Sequence, residues 1–307
     1  MAEQPDGLVT IRDFVRWGAS RFNAAGLFFG HGTDNAIDEA AQLVLGGLHL
    51  GPFLPVTFHD CRLTPAERDV VAELIERRLT ERVPAAYLTG AAWFAGLEFF
   101  VDSHVLVPRS PIAELVEASF TPWMDADRIG RVLDLCTGSG CIGIAAAAYL
   151  PDVDVDLVDI SPEALRVARR NVERHGLEHR VRVLESDLFS SLDGYRYDVI
   201  VSNPPYVSRA ELEDLPTEYH REPSLGLFGG EDGLDIVLRI LGEADQLLSD
   251  DGILIVEVGN SAQALELRLP EMPFTWIEFE RGGDGVFLLT REQLVEHRAM
   301  IEAVLER

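Results

Sequence analysis

The chain has 307 residues, 47% hydrophobic and 25% charged, enough apolar content for one large or two modest domains, which excludes wholesale disorder. No lysine occurs, so its 26 basic residues are all arginine, and 52 acidic residues leave a formal charge of −26. That excludes Schiff-base and pyridoxal-phosphate chemistry and the lysine of a phosphate loop, is a poor fit to non-specific nucleic-acid binding, and fits a cationic partner or an anionic surface adapted to salt.

The predicted elements begin with helices. One covers Ile11 to Phe22, and a second starts near Asp34 and runs through Ala40 and Leu43 to Leu48. Thr64-Pro65-Ala66-Glu67 is a capping box with proline at the first helical position, and Val70, Val71, Leu74, Ile75 and Leu79 follow at helical spacing. Together they predict an N-terminal helical domain over residues 1–86. From Tyr87 to Val107 the pattern turns to aromatic and β-branched runs, Trp93-Phe94 and Phe99-Phe100-Val101, broken at Ala95-Gly96, which predicts a β-hairpin in a linker over residues 87–110.

Residues 111–307 are assigned to a third unit. Strand-like runs at Val132–Leu135, Val155–Val158, Val181–Leu184, Asp198–Ser202 and Ile253–Val258 alternate with helical patterns, one of them opened by Ser161 as N-cap before Pro162. Such alternation predicts an α/β fold, a mostly parallel sheet with helices on both faces. Phe274–Phe279 and Gly285–Leu289 have almost no helix between them and are expected to pair as an antiparallel hairpin at a sheet edge.

Cys61, Cys136 and Cys141 make no C-x-x-C pair and no even framework, which points to a reducing compartment without structural zinc. The segment Met1–Asp6 is acidic rather than basic-then-apolar, and the longest apolar stretch, Gly140–Leu150, is short of the roughly 20 residues a membrane span needs. A soluble cytoplasmic protein is expected, with no membrane association.

Asp134-Leu135-Cys136-Thr137-Gly138-Ser139-Gly140-Cys141-Ile142-Gly143 sets a G-x-G-x-x-G between a strand and a helix. Glycines let the backbone turn tightly against a ligand, and the helix N-terminus offers free N–H groups to an anionic part of it. Asp159 ends the next strand, roughly 20 residues on, where a carboxylate takes both hydroxyls of a ribose. This context predicts an adenosine-containing cofactor but does not choose between a nicotinamide oxidoreductase and an S-adenosylmethionine methyltransferase.

The fourth strand decides between them, because Tyr197–Ser202 leads into Asn203-Pro204-Pro205-Tyr206 at the carboxyl edge of the sheet. Two prolines fix the backbone and remove two donors, leaving carbonyl oxygens that accept. Asn203 adds an amide oxygen and Tyr206 a π face. A planar NH2 group has its lone pair delocalised into the neighbouring carbonyl or ring and is a poor nucleophile, so it must be gripped at both N–H bonds. The Asn203 side chain and the Pro204 carbonyl supply two such acceptors.

Gly138-Ser139-Gly140 with Asn203-Pro204-Pro205-Tyr206 resembles the amino-methyltransferases of glutamine amides and of exocyclic base amines. Tyr87-Leu88-Thr89-Gly90, Val107-Pro108-Arg109-Ser110-Pro111-Ile112, Glu222-Pro223, Gly230-Glu231-Asp232-Gly233-Leu234 and Glu257-Val258-Gly259 extend the likeness over nearly the whole chain to the bacterial protein-glutamine methyltransferases. One branch of that family modifies peptide release factors and another the third large-subunit ribosomal protein. Ser110-Pro111-Ile112, where release-factor enzymes typically have proline, glutamate and threonine, resembles the ribosomal branch, as does Gly282-Gly283-Asp284-Gly285-Val286-Phe287.

The resemblance implies a Rossmann-like S-adenosylmethionine-dependent methyltransferase fold, with the helical domain recognising a basic large-subunit ribosomal protein before or during ribosome assembly. It implies that Cys136, Thr137, Gly138, Ser139 and Gly140 surround the methionine part of S-adenosyl-L-methionine and that Asp159 takes the ribose. Asp187 and Leu188 would take the adenine, and Asn203, Pro204, Pro205 and Tyr206 the target glutamine, with Asn203, Pro204 and Tyr206 catalytic and Asn203 also near the cofactor. No metal is implied. His175 and His179 are separated by Gly176 and read as a helix end, Asp250 and Asp251 as a solvated turn before a strand, and Arg109 as covering the cofactor or capping a helix. The alternatives are release-factor methylation, a DNA adenine methyltransferase, for which a basic target-reading region is missing, a nicotinamide reductase, and a non-catalytic ribosome-assembly factor.

Overall fold

A computed structural model describes residues 7–192 and 194–306; the acidic segment Met1–Asp6 lies outside the described residues. Three helices, α1 (Ile11–Ala24), α2 (Ala36–Gly47) and α3 (Pro65–Glu81), pack around Phe14, Phe22, Leu43, Val44, Val71 and Ile75. Both halves of the Thr64 capping box are made, with Glu67 bonded back to the cap residue. Val70 turns outward rather than into this core. The stripe also contains Arg78, which is fully buried because Glu39 of α2 meets it at 2.6 Å.

Pro84 starts a short helix, α4 (Ala85–Thr89), and Gly90 ends it at φ +68°, so Tyr87 is helical rather than part of an extended run. The hairpin follows as β1 (Ala91–Phe94) and β2 (Leu97–Phe100), turning at Ala95-Gly96. Next come α5 (Ile112–Glu117), β3 (Arg131–Leu135), α6 (Cys141–Tyr149), β4 (Asp154–Asp159), α7 (Pro162–Arg174), β5 (Val181–Glu185), β6 (Tyr197–Ser202), α8 (Arg209–Asp214) and α9 (Asp235–Glu243). The remainder is β7 (Leu248–Glu257), α10 (Ala262–Arg268), β8 (Thr275–Trp276), β9 (Val286–Thr290), α11 (Arg291–Glu296) and α12 (Arg298–Leu305).

Seven strands form one sheet in the order β5-β4-β3-β6-β7-β9-β8. The first five are parallel, while β9 runs antiparallel to both β7 and β8. The expected terminal hairpin therefore exists at one edge of the sheet, with β9 between β7 and β8 and β8 outermost. Alternate side chains serve opposite faces: Val132, Val199, Val201, Ile253 and Ile255 pack with α5, α6 and the hairpin. Leu133, Leu135, Ile200, Leu254 and Val256 pack with α9 to α12. Burial on both faces explains why these strands read as near-continuous apolar runs.

Asp250 and Asp251 lie within β7 rather than in a turn before it; both side chains are exposed and paired with Arg291 and Arg128. His175 is the C-cap of α7, with Gly176 at φ +66° after it. All three cysteines are free thiols, Cys61 exposed and Cys141 buried. No described helix is long and apolar enough to cross a membrane.

Candidate active site

The carboxyl ends of β3, β4, β6 and β7 and the chain beyond β5 open on one cleft of about 450 Å3, at the sheet edge where open α/β folds take their ligands. Cys136 and Gly138 leave β3 at φ +56° and +55°, and Gly140 caps α6 at +83°. The loop is held from several sides. Thr137 N–H donates to the Val158 carbonyl at 2.9 Å, and Asn171 of α7 donates to the Ser139 carbonyl at 2.8 Å. The Thr137 hydroxyl and the Gly143 N–H donate at 2.6 and 2.9 Å to Asp134, a fully buried carboxyl whose other oxygen has no hydrogen-bond partner among the described residues. Burial pushes Asp134 up to about 7 against those two donors. Burial also raises the Cys136 and Cys141 thiols, the latter to about 12, so neither is a thiolate at neutral pH.

Asp159 accepts from Gly138 N–H and Ser161 N–H at 2.9 Å each, one bond per oxygen. A carboxylate oxygen accepts two bonds, so each retains capacity toward the cleft. Ser186, Asp187 and Leu188 reach the cleft from beyond β5, with Asp187 fixed by Arg239 at 2.9 Å and Leu188 at φ +48°. Asn203, Pro204, Pro205 and Tyr206 line the cleft after β6. The structure thus brings Cys136, Thr137, Gly138, Ser139, Asp159, Asp187, Leu188 and Asn203–Tyr206 together, whereas Gly140 lies beneath the loop, its α carbon facing Ile144 and Leu157.

Another wall is the segment after α8, which carries Tyr219, Pro223 and Leu225 into the cleft. The helical region holds it. Glu218 accepts from Phe28 N–H at 3.1 Å and from Arg82 at 3.2 Å, with Arg78 at 3.5 Å. Arg109 does not cap a helix. Its guanidinium grips Glu222 through two bonds of 2.6 and 2.7 Å and stacks over Tyr219, and His31 of the helical region comes within 3.5 Å of Glu222. Burial works to raise the Glu222 carboxyl, but the neighbouring His31 and Arg109 outweigh it and hold the group at about 2.

The methyltransferase small domain family matches residues 118–218. A ribosomal protein uL3 glutamine methyltransferase of Xanthomonas campestris is 55% identical over 98% of this chain and 97% of its own. Proteins of the same description from Xylella fastidiosa and Francisella tularensis are 53% and 47% identical, over 97% and 95% of this chain and 96% and 94% of theirs. The chain belongs to the ribosomal protein uL3 glutamine methyltransferase family.

Membership at this level answers the choice that the glycine loop left open, in favour of a methyltransferase. Within the family's cleft, Glu257 was visible in the sequence only as part of a motif with no role. The signal was a carboxylate closing the otherwise apolar run Ile253–Val256. Its partners, Ser110 and Tyr206, lie 147 and 51 residues away, and no local pattern connects them. Among the described residues no group of His, Cys, Asp and Glu has the arrangement of a metal site.

Proposed function

We propose that this chain transfers a methyl group from S-adenosyl-L-methionine to the side-chain amide nitrogen of a glutamine in ribosomal protein uL3. The observation that carries the reading is the shared cleft. Asp159 and the glycine loop line one part of it and Asn203–Tyr206 another, in a chain of this family. Release-factor methylation is the lesser reading, because the relatives at 47 to 55% identity are described by uL3.

The cleft suits the cofactor by its chemistry. The two oxygens of Asp159 fit a ribose diol, Asp187 and the Leu188 N–H fit an adenine edge, and Cys136 to Gly138 offer a turned backbone to the methionine part. Bound there, S-adenosyl-L-methionine supplies a methyl group activated by a sulfonium. The protein's own contribution is orientation. Asn203 and the Pro204 carbonyl accept the two N–H bonds of the glutamine amide and hold its weak lone pair in line, and Pro205 stiffens the loop. The Tyr206 ring presents its π face to positive charge. No strong base acts first, because the amide proton becomes acidic only as the nitrogen gains its new bond.

The helical region is assigned to substrate recognition, and the reaction to the cytoplasm before or during subunit assembly, while the glutamine is still reachable. Neither nucleic acid nor a metal enters the reading. Replacing Asn203 with Ala is expected to lower methyl transfer by about 100-fold or more while cofactor affinity, read by calorimetry, stays within about threefold. Loss of cofactor affinity with ordinary turnover in what remains bound would contradict a substrate-gripping role for Asn203.

A further inference from the structure

Glu257 sits where the two central strands end. Parallel pairing sets Ser202 opposite Val256, so Asn203 and Glu257 leave β6 and β7 side by side. Glu257 is 6% exposed, and both of its oxygens are engaged by hydroxyls. Tyr206 Oη donates to Oε1 at 2.9 Å and Ser110 Oγ to Oε2 at 2.5 Å. Asn203, next to Glu257 across the strand ends, helps to hold the same carboxylate down. A carboxylate only accepts, so an Asn203 side chain turned to it would offer its NH2 group and keep its oxygen as acceptor.

The neighbouring cation does not neutralise this carboxylate by direct pairing, since the Arg109 fork is committed to Glu222. Burial accordingly raises the Glu257 carboxyl, although Ser110, Tyr206 and Arg109 oppose the shift. A buried carboxylate without its own cation is a costly way to fill space, and an apolar residue would serve packing better. Its geometry, with acceptors on two sides, suits the two hydroxyls that bond it and the Asn203 amide beside it. The Tyr206 backbone is pinned too, its carbonyl accepting from Ser261 at 2.8 Å, and its ring packs so closely on Gly259 that a Cβ there would lie 2.7 Å from it.

We propose that Glu257 is a positioning residue for methyl transfer, fixing the Tyr206 ring and the Asn203 amide and tying both through Ser110 to the chain entering α5. The proposal rests on the role of Asn203–Tyr206 in holding the glutamine amide and adds the residue through which that loop is aligned. It assigns the Tyr206 hydroxyl to Glu257, which leaves the ring face, not the hydroxyl, toward substrate.

The test is a double-mutant cycle of Glu257→Gln and Tyr206→Phe, with the cofactor dissociation constant, KM and kcat measured separately. Transfer is read on uL3, or on a release factor should the wild type accept only that. Each single variant should lose about 10- to 100-fold in kcat with KM and cofactor affinity within about threefold, and the double variant should be no worse than Glu257→Gln by more than about threefold. Multiplying losses, unchanged kcat, or a parallel fall in cofactor affinity would overturn the proposal. Tyr206→Phe removes one hydroxyl from a retained ring and keeps the cycle readable should Glu257→Gln fold poorly. In the free protein, the ring-carbon NMR signal of 13C-labelled Tyr206 should move in Glu257→Gln; an unmoved signal contradicts the hydrogen bond whatever the substrate proves to be.

Discussion

Asp134 shows how burial fixes both a role and a pH dependence. The carboxyl lies under the glycine loop and holds Thr137 and Gly143, yet one oxygen is orphaned and the group titrates near 7. Its unfolded value lies near 3.8, so between the two the folded state binds the proton more tightly and stability falls as pH rises. Asp134→Asn cannot titrate. Measured by urea unfolding, its stability relative to wild type should improve by about 2 kcal/mol from pH 5.5 to pH 8; parallel pH curves would contradict the assignment. Much of the cleft's lining was legible in the sequence, because the loop, Asp159 and Asn203–Tyr206 are short runs tied to strand ends. The ion pairs were not. Arg109 finds Glu222 across 113 residues and Arg78 finds Glu39 across 39, and charged residues ordinarily read as solvated surface until a partner is located.

At the scale of elements, caps and periodicity marked the helices and strands within a residue or two wherever the pattern was strong. Ser161 accepts from Ala164 N–H at 3.2 Å and Pro162 begins α7, as the sequence predicts. Strand order escaped, since alternation of apolar residues carries no information about neighbours, and β9 came to lie between β7 and β8. The start of β7 escaped because Asp250 and Asp251 occupy its exposed end, where arginines from elsewhere meet them. The turn into α6 is an exacting junction. Gly140 sits at φ +83°, and a Cβ there would lie 2.8 Å from Ile144 and 3.2 Å from Leu157. Gly140→Ala should therefore cost about 1 to 3 kcal/mol in urea unfolding and weaken cofactor binding in calorimetry. Unchanged values in both would mean that the loop is not held as described.

For the whole molecule, two arrangements bear on how a protein substrate is met. The helical region anchors the cleft's outer wall through buried charge, with Arg78, Arg82 and Phe28 on Glu218 and His31 beside Glu222, so the proposed recognition unit and the cleft share a hydrogen-bonded seam. The net charge of −26 spreads over a surface that is then expected to draw in a basic ribosomal protein. Raising ionic strength from 0.05 to 0.5 M should lower kcat/KM for uL3 several-fold and leave cofactor affinity unchanged, because screening shortens the reach of surface charge to about 10 Å or less above 0.1 M. A rise instead would assign the acidity to salt tolerance.

The most direct measurement is the intact mass of unmethylated uL3 after incubation with this enzyme and S-adenosyl-L-methionine, beside a release factor in a parallel tube, with peptide mapping of the product. A single added methyl on uL3, carried by a glutamine side chain, is expected, and none on the release factor. Methylation confined to the release factor, or to a residue other than glutamine, would contradict the proposed activity.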